Sequence, residues 1–106
     1  MQKPRTCLVT QAMDILGKKW AITILLQLLS GPKRFCHLEG DTEVSGRLLS
    51  ERLKELEAAG MVTRTIYPEV PPRVEYQLTE KGKDVGPIIS DIYAWASKWM
   101  NDGLKQ

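Results

Sequence analysis

The chain is poor in the residues that would announce a chemistry directly. It contains two cysteines (Cys7 and Cys36), one histidine (His37) and one phenylalanine (Phe35). Two cysteines are too few for a disulfide scaffold, and Cys36-His37 lacks the further ligands that a zinc site needs. The sole histidine has no nucleophile to serve, no glycine-rich phosphate loop is present, and the acidic groups are scattered. The chain is therefore expected to be no enzyme, with no catalytic residue, metal or cofactor. No apolar run approaches the roughly 18 residues of a membrane span. The opening MQKPRT carries charge without an apolar stretch before Gln11 and Asp14, so no signal peptide is expected. The expected location is cytoplasmic, with no membrane partner.

What is present is an ordinary globular composition. Of 106 residues, 42% are hydrophobic and 26% charged, which suits one domain over residues 1–106 rather than a disordered chain. So short a domain buries a limited core, which makes function through an oligomer a reasonable expectation. Net charge is only +2 and does not by itself indicate nucleic acid. Its distribution is uneven, since residues 1–38 carry six basic groups against Asp14 alone, whereas residues 39–57 carry six acidic groups against three basic. Solvated helix faces would explain such a pattern equally well.

Apolar spacing divides the chain into elements. Val9, Ala12, Met13 and Leu16 recur at helical intervals, and Gly17 ends or bends that helix. KKWAITILLQLLSGP then places Trp20, Ile24, Leu25, Leu28 and Leu29 on one wide face before Gly31-Pro32 stops it. Arg34 to Leu38 reads as a strand residue or two and one helical turn, and Glu39-Gly40-Asp41-Thr42 as a turn-like break. Ser45 is a good N-cap for a helix that runs to Gly60 and gathers Leu49, Leu53 and Leu56 on one face. Arg47, Ser50, Glu51 and Lys54 lie opposite. Two strand-like stretches, Met61 to Tyr67 and Arg73 to Leu78, flank Pro68, Pro71 and Pro72 and predict a hairpin with a stiff tip. A last helix opens at Thr79-Glu80-Lys81-Gly82, with a kink or late start at Gly86-Pro87, and repeats Val85, Ile88, Ile89, Ile92, Trp95, Ala96 and Trp99 at threes and fours.

Three helical segments running directly into a two-stranded hairpin make a winged helix-turn-helix, an α+β, mainly α fold. The leucine face of residues 49–56 docks on the first helices, which leaves its polar face free to enter a major groove about 12 Å wide. A generic α+β domain without a nucleic-acid role is the alternative on these residues.

The order and spacing of six segments carry a resemblance. They are Asp14 to Trp20 (DILGKKW), Gly31 to Phe35 (GPKRF), Leu49 to Glu57 (LSERLKELE), Gly60 to Arg64 (GMVTR), Pro71 to Tyr76 (PPRVEY) and Leu78 to Gly82 (LTEKG). Together they resemble the HxlR-type, MarR-like winged-helix regulators of transcription, from Cys7 to about Trp99. In that family glycine usually stands where Lys18 is, and proline often stands where Gly46 is. The resemblance implies N-terminal helices within 9–30, a helix-turn-helix in 34–59, a wing in 61–78 and a C-terminal dimerisation helix in 80–101. It further implies a homodimer on an inverted-repeat operator of double-stranded DNA, with the first and last helices at the dimer interface. Whether such a regulator represses or activates stays open at this level.

Candidate site residues follow. Ser45, Arg47, Ser50 and Lys54 are expected to face DNA from the recognition helix, where arginine pairs with guanine edges. Arg64 and Arg73 are expected wing contacts, and Lys18, Lys19, Lys33 and Arg34 expected phosphate contacts. Arg52 lies on the flank, within reach of Glu55 or Glu39. Ile88, Ile92, Trp95 and Trp99 form a stripe that either covers the core or seals a dimer, and the second is expected. Cys7 precedes the first helix near Lys3 and Arg5, where the helix N-terminus and the cations favour thiolate. Some members of the resembling family sense oxidants or electrophiles through a cysteine there, which makes Cys7 the redox-sensor candidate; Cys36 is expected to pack. Two other readings remain: a winged helix used for protein contact, and a regulator answering a small-molecule effector between the first and last helices with no redox role.

Overall fold

A computed structural model describes residues 7–100. Lys3 and Arg5, and position 101 of the expected last helix, lie outside the described residues. The elements run α1 (Leu8–Leu16), α2 (Ala21–Leu28), β1 (Lys33–Arg34), α3 (Phe35–Asp41), α4 (Gly46–Ala58), β2 (Val62–Tyr67), β3 (Arg73–Leu78), α5 (Glu80–Lys83) and α6 (Gly86–Trp99). The sheet is antiparallel in the order β1-β3-β2, so the two residues of β1 extend the hairpin to three strands.

Ile24, Leu25 and Leu28 of α2 meet Leu49, Leu53 and Leu56 of α4 in the core, with Leu38, Val62 and Leu78 closing it. All of these are at most 5% exposed. Each such side chain contributes about 1.5–3 kcal/mol on burial, so this layer carries most of the fold.

Two local expectations change. The second helix begins at Ala21 rather than among the lysines, because Trp20 has φ 78° in the left-handed region. That conformation costs a non-glycine residue about 1–3 kcal/mol. Trp20 packs against the core, and the Lys19 carbonyl just before it accepts a hydrogen bond from Arg52 Nε at 2.9 Å. Tertiary contacts thus hold a turn that helix periodicity ran straight through. The second change is at 39–42, where the expected break is helix as far as Asp41. Thr42, 7% exposed, ends it: its hydroxyl donates to Leu38 O at 2.7 Å and accepts from Val44 N at 3.4 Å.

The end of α4 is fastened from outside. Gly60 takes φ 78°, Gly60 N donates to Glu57 O and Met61 N to Leu56 O, the paired bonds of a glycine-terminated helix. Two carbonyls just beyond the helix accept from distant side chains, Ala59 O from Lys81 Nζ at 2.8 Å and Gly60 O from Thr79 Oγ1 at 2.6 Å. Thr79 Oγ1 also caps α5 by accepting from Gly82 N. The last helical stretch is therefore two helices, with α6 starting late and Pro87 in its first turn, where a missing N–H loses nothing.

The outer helices spread away from this centre. The radius of gyration is 16.0 Å, against about 13 Å for a compact domain of 100 residues.

Candidate nucleic-acid interface

Helix α3, the Thr42–Ser45 turn and α4 form the helix-turn-helix, and the Thr42 bonds set the turn. Ser45 caps α4, its Oγ accepting from Leu48 N at 3.3 Å. Beside that cap, a Cβ at position 46 would meet only the flexible end of the exposed Glu39 side chain, which can move aside. With its leucines inward, α4 turns Arg47, Glu51 and Lys54 to solvent and leaves Ser50 half-buried. Neither Arg47 nor Lys54 makes a hydrogen bond or ion pair among the described residues.

The sheet register brings the wing to this helix. Arg64 on β2 stands opposite Tyr76 on β3, and Lys33 on β1 stands opposite Tyr76 from the other side. Ser50, Lys54 and Glu57 of α4, with Arg64 and Tyr76, line one recess of about 340 Å³ between helix and wing. Three expected contacts, Ser50, Lys54 and Arg64, thus share a single surface. Tyr76 and Glu57 were not singled out from sequence; Glu57 stands three residues after Lys54 on α4, and Tyr76 meets Arg64 only through the hairpin register.

Arg73 is occupied within the wing. It pairs with Glu69 at 3.0 Å and Glu75 at 2.9 Å and stacks on the Tyr67 ring at 4.0 Å. The hydrogen bond to Glu69 raises its already high pKa. Its buried Nε has no hydrogen-bond partner. Lys18 is likewise engaged, 3.5 Å from Glu55, which also pairs with Arg52 at 3.1 Å. Of the two partners open to Arg52, Glu55 is the one met. Lys19 lies over the Trp20 ring. Arg34 is exposed and Lys33 half-buried, with no ion pair of either among the described residues. Cys36 is exposed rather than packed, in a recess with Arg34 and Arg73, because the first turn of α3 packs through Phe35 and Leu38 and leaves Cys36 and His37 outside.

Ile88, Ile92, Trp95 and Trp99 are 43–67% exposed. They form a stripe beside the line of Val85, Ile89 and Ala96 that faces the core, so they do not cover it. On α1, Leu8, Val9 and Met13 are also exposed and no residue is buried, so the apolar spacing of Val9 and Met13 marks an uncovered surface. Ala12, Ile15, Leu16, Met61, Lys81 and Val85 line an apolar recess of about 230 Å³ between α1 and the start of α6. Cys7 is exposed at the start of α1, where the backbone N–H groups of Thr10 and Val9 hold its thiol below the ordinary value. Among the described residues no helix is long and apolar enough to cross a membrane.

Comparison with known proteins agrees with this arrangement. The family described as HxlR-like helix-turn-helix matches residues 15–103. YvaP, an uncharacterized HTH-type transcriptional regulator of Bacillus subtilis, is 50% identical over 92 residues, 86% of this chain and 85% of its own. The reduced form of the B. subtilis transcriptional regulator YodB matches with a TM-score of 0.77 at 39% identity, over 94% of this chain and 96% of that one. Diamide-treated and quinone-bound YodB match as well. The redox regulator HypR in its reduced form matches with a TM-score of 0.84 at 35% identity, over 93% of this chain and 98% of that one. This chain, a mainly α winged helix, belongs to the HxlR-like helix-turn-helix family of transcriptional regulators.

Proposed function

We propose that the protein is a homodimeric regulator that binds an inverted-repeat DNA operator and changes its affinity when the Cys7 thiol meets an oxidant or electrophile. The observation that carries this reading is the division of the surface. The polar face of α4 is solvent-exposed, capped and flanked by the wing, while α1 and α6 expose apolar side chains that a second copy would cover.

Arg47 reads base edges near the start of α4, and Ser45 lies beside it. Lys33, Arg34, Lys54 and Arg64 contact phosphates, which position the helix without specifying sequence. Lys19 adds a more distant charge. Lys18 and Arg73 serve first as intramolecular struts, and their contribution to DNA is secondary. Ile88, Ile92, Trp95 and Trp99 close the dimer with α1, setting the recognition helices about 34 Å apart.

The thiol reading is supported by the exposed position of Cys7, its lowered pKa and the quinone-bound and diamide-treated forms of YodB. Because α1 belongs to the proposed dimer seam, a modified Cys7 alters the spacing of the two recognition helices.

Selection from random duplexes, run in parallel on reduced and diamide-treated protein, tests the proposal. An enriched inverted repeat, with affinity that changes on oxidation in the native chain and not in Cys7→Ser, is the expected result. Enrichment without an oxidation effect removes the thiol switch. No enrichment in either state removes the DNA reading in favour of protein contact.

A further inference from the structure

We infer that the recess between α4 and the wing seats one backbone phosphodiester of the duplex, held jointly by the recognition helix and the hairpin. The inference rests on the DNA-binding reading above and adds to it a specific seat for the phosphate.

The donors come from three elements: Ser50 and Lys54 from α4, Arg64 from β2 and Tyr76 from β3. None of the four forms a side-chain hydrogen bond or ion pair among the described residues. For Tyr76 this is informative. Its ring belongs to the core, while its hydroxyl is not among the buried atoms and opens into the recess it lines, where it is available to a ligand.

The contrast with neighbouring cations points the same way. Arg73 and Lys18 are neutralised by carboxylates, whereas Lys54 and Arg64 are not. Register places Lys33 on the far side of Tyr76 from Arg64, so positive charge flanks the phenol on both sides. Guanidinium, ammonium and two hydroxyls make a donor-rich anion seat. Groups converging from helix and wing fit a point on the backbone better than a base edge on the groove floor.

Glu57 is the one acidic group lining the recess, a turn beyond Lys54 toward the end of α4. Its charge opposes an anion, so its removal is expected to tighten the seat.

Binding of the full chain to its selected operator and to an unrelated duplex, followed across salt concentrations, tests the seat. Arg64→Gln is expected to weaken both duplexes by the same factor and to flatten the dependence of log affinity on log salt by about 0.9 for each phosphate no longer neutralised. Tyr76→Phe weakens both equally with the slope unchanged, and Glu57→Gln strengthens both. Replacing operator phosphates singly by methylphosphonate locates the seat: one linkage in each half-site harms the native protein and leaves Arg64→Gln indifferent. Arg64 is exposed, so its variant keeps the fold, and the test stands even if Tyr76→Phe does not fold. An unchanged slope in both Arg64→Gln and Lys54→Gln, or a loss confined to the selected operator, overturns the seat alone. A native chain that binds no duplex overturns the DNA reading and the seat together.

Discussion

In the central half of the molecule, Leu49, Leu53 and Leu56 of α4 are at most 2% exposed, and the ends of that helix are satisfied by Ser45, Thr79 and Lys81. In the outer half, α1 buries nothing and α6 buries Ile89 alone, while Ile92, Trp95 and Trp99 face solvent. The same chain thus contains a region complete in itself and a region whose apolar side chains the chain leaves uncovered. Isolated helices of such length are marginal in water, so the arms need a surface to pack on. Against the central core they pack through Val85 and Ile89 at the start of α6 and through Ile15 and Leu16 at the end of α1.

The comparison breaks most visibly at the core. Leu53→Ala is expected to destabilise the protein by about 2–5 kcal/mol, read as a fall in the denaturant midpoint. A loss well under that range would mean that α4 is not the central support. At the arms the expected behaviour is different. Trp95→Ala should leave far-ultraviolet circular dichroism unchanged and shift sedimentation from dimer to monomer. The native melting temperature should rise with protein concentration while that of the variant stays flat. If the native chain sediments as a monomer at micromolar concentration, the arms have some other use.

A smaller effect probes the joint between helices. Thr42→Val removes a buried hydroxyl that donates to Leu38 O and accepts from Val44 N, at a cost of about 1–3 kcal/mol. Because the turn sets α4 against α3, DNA affinity should fall with stability in this variant, whereas in Trp95→Ala it should fall without a comparable loss of structure.

The smallest effect is at Cys7. Its folded pKa is below the unfolded value, so the stabilisation from thiolate is present above the unfolded pKa and is lost as pH falls through the folded one. In the single-cysteine variant Cys36→Ser, alkylation by iodoacetamide should reach its half-maximal rate at a lower pH in native protein than in urea. Coincident curves would show that the start of α1 does nothing for the thiol.

Much of the central region was readable beforehand because its signals are local. Ser45 before an amphipathic run, Gly60 after it and the prolines between two strand-like stretches each act on their immediate neighbours. The outer region was readable only in outline. The stripe on α6 was visible, but whether it faced the core or solvent depended on how far around the helix Ile89 turned. Trp20 shows the other limit: its left-handed turn follows from the bond between Arg52 and the Lys19 carbonyl, across 33 positions of sequence. The exposure of Cys36 and the pairing of Arg73 with Glu69 and Glu75 were not legible for the same reason, since both are properties of neighbours in space.

The sequence alone determined the helices that carry strong periodicity, the hairpin, and the set of cations available to a polyanion. Propensity, capping and apolar spacing operate within a few residues and survive without the rest of the molecule. Tertiary structure alone decided which of those cations are free. Coulomb and hydrogen-bond partners are chosen by distance: Lys18 and Arg73 found carboxylates, and Lys54 and Arg64 were left beside a tyrosine with an open hydroxyl.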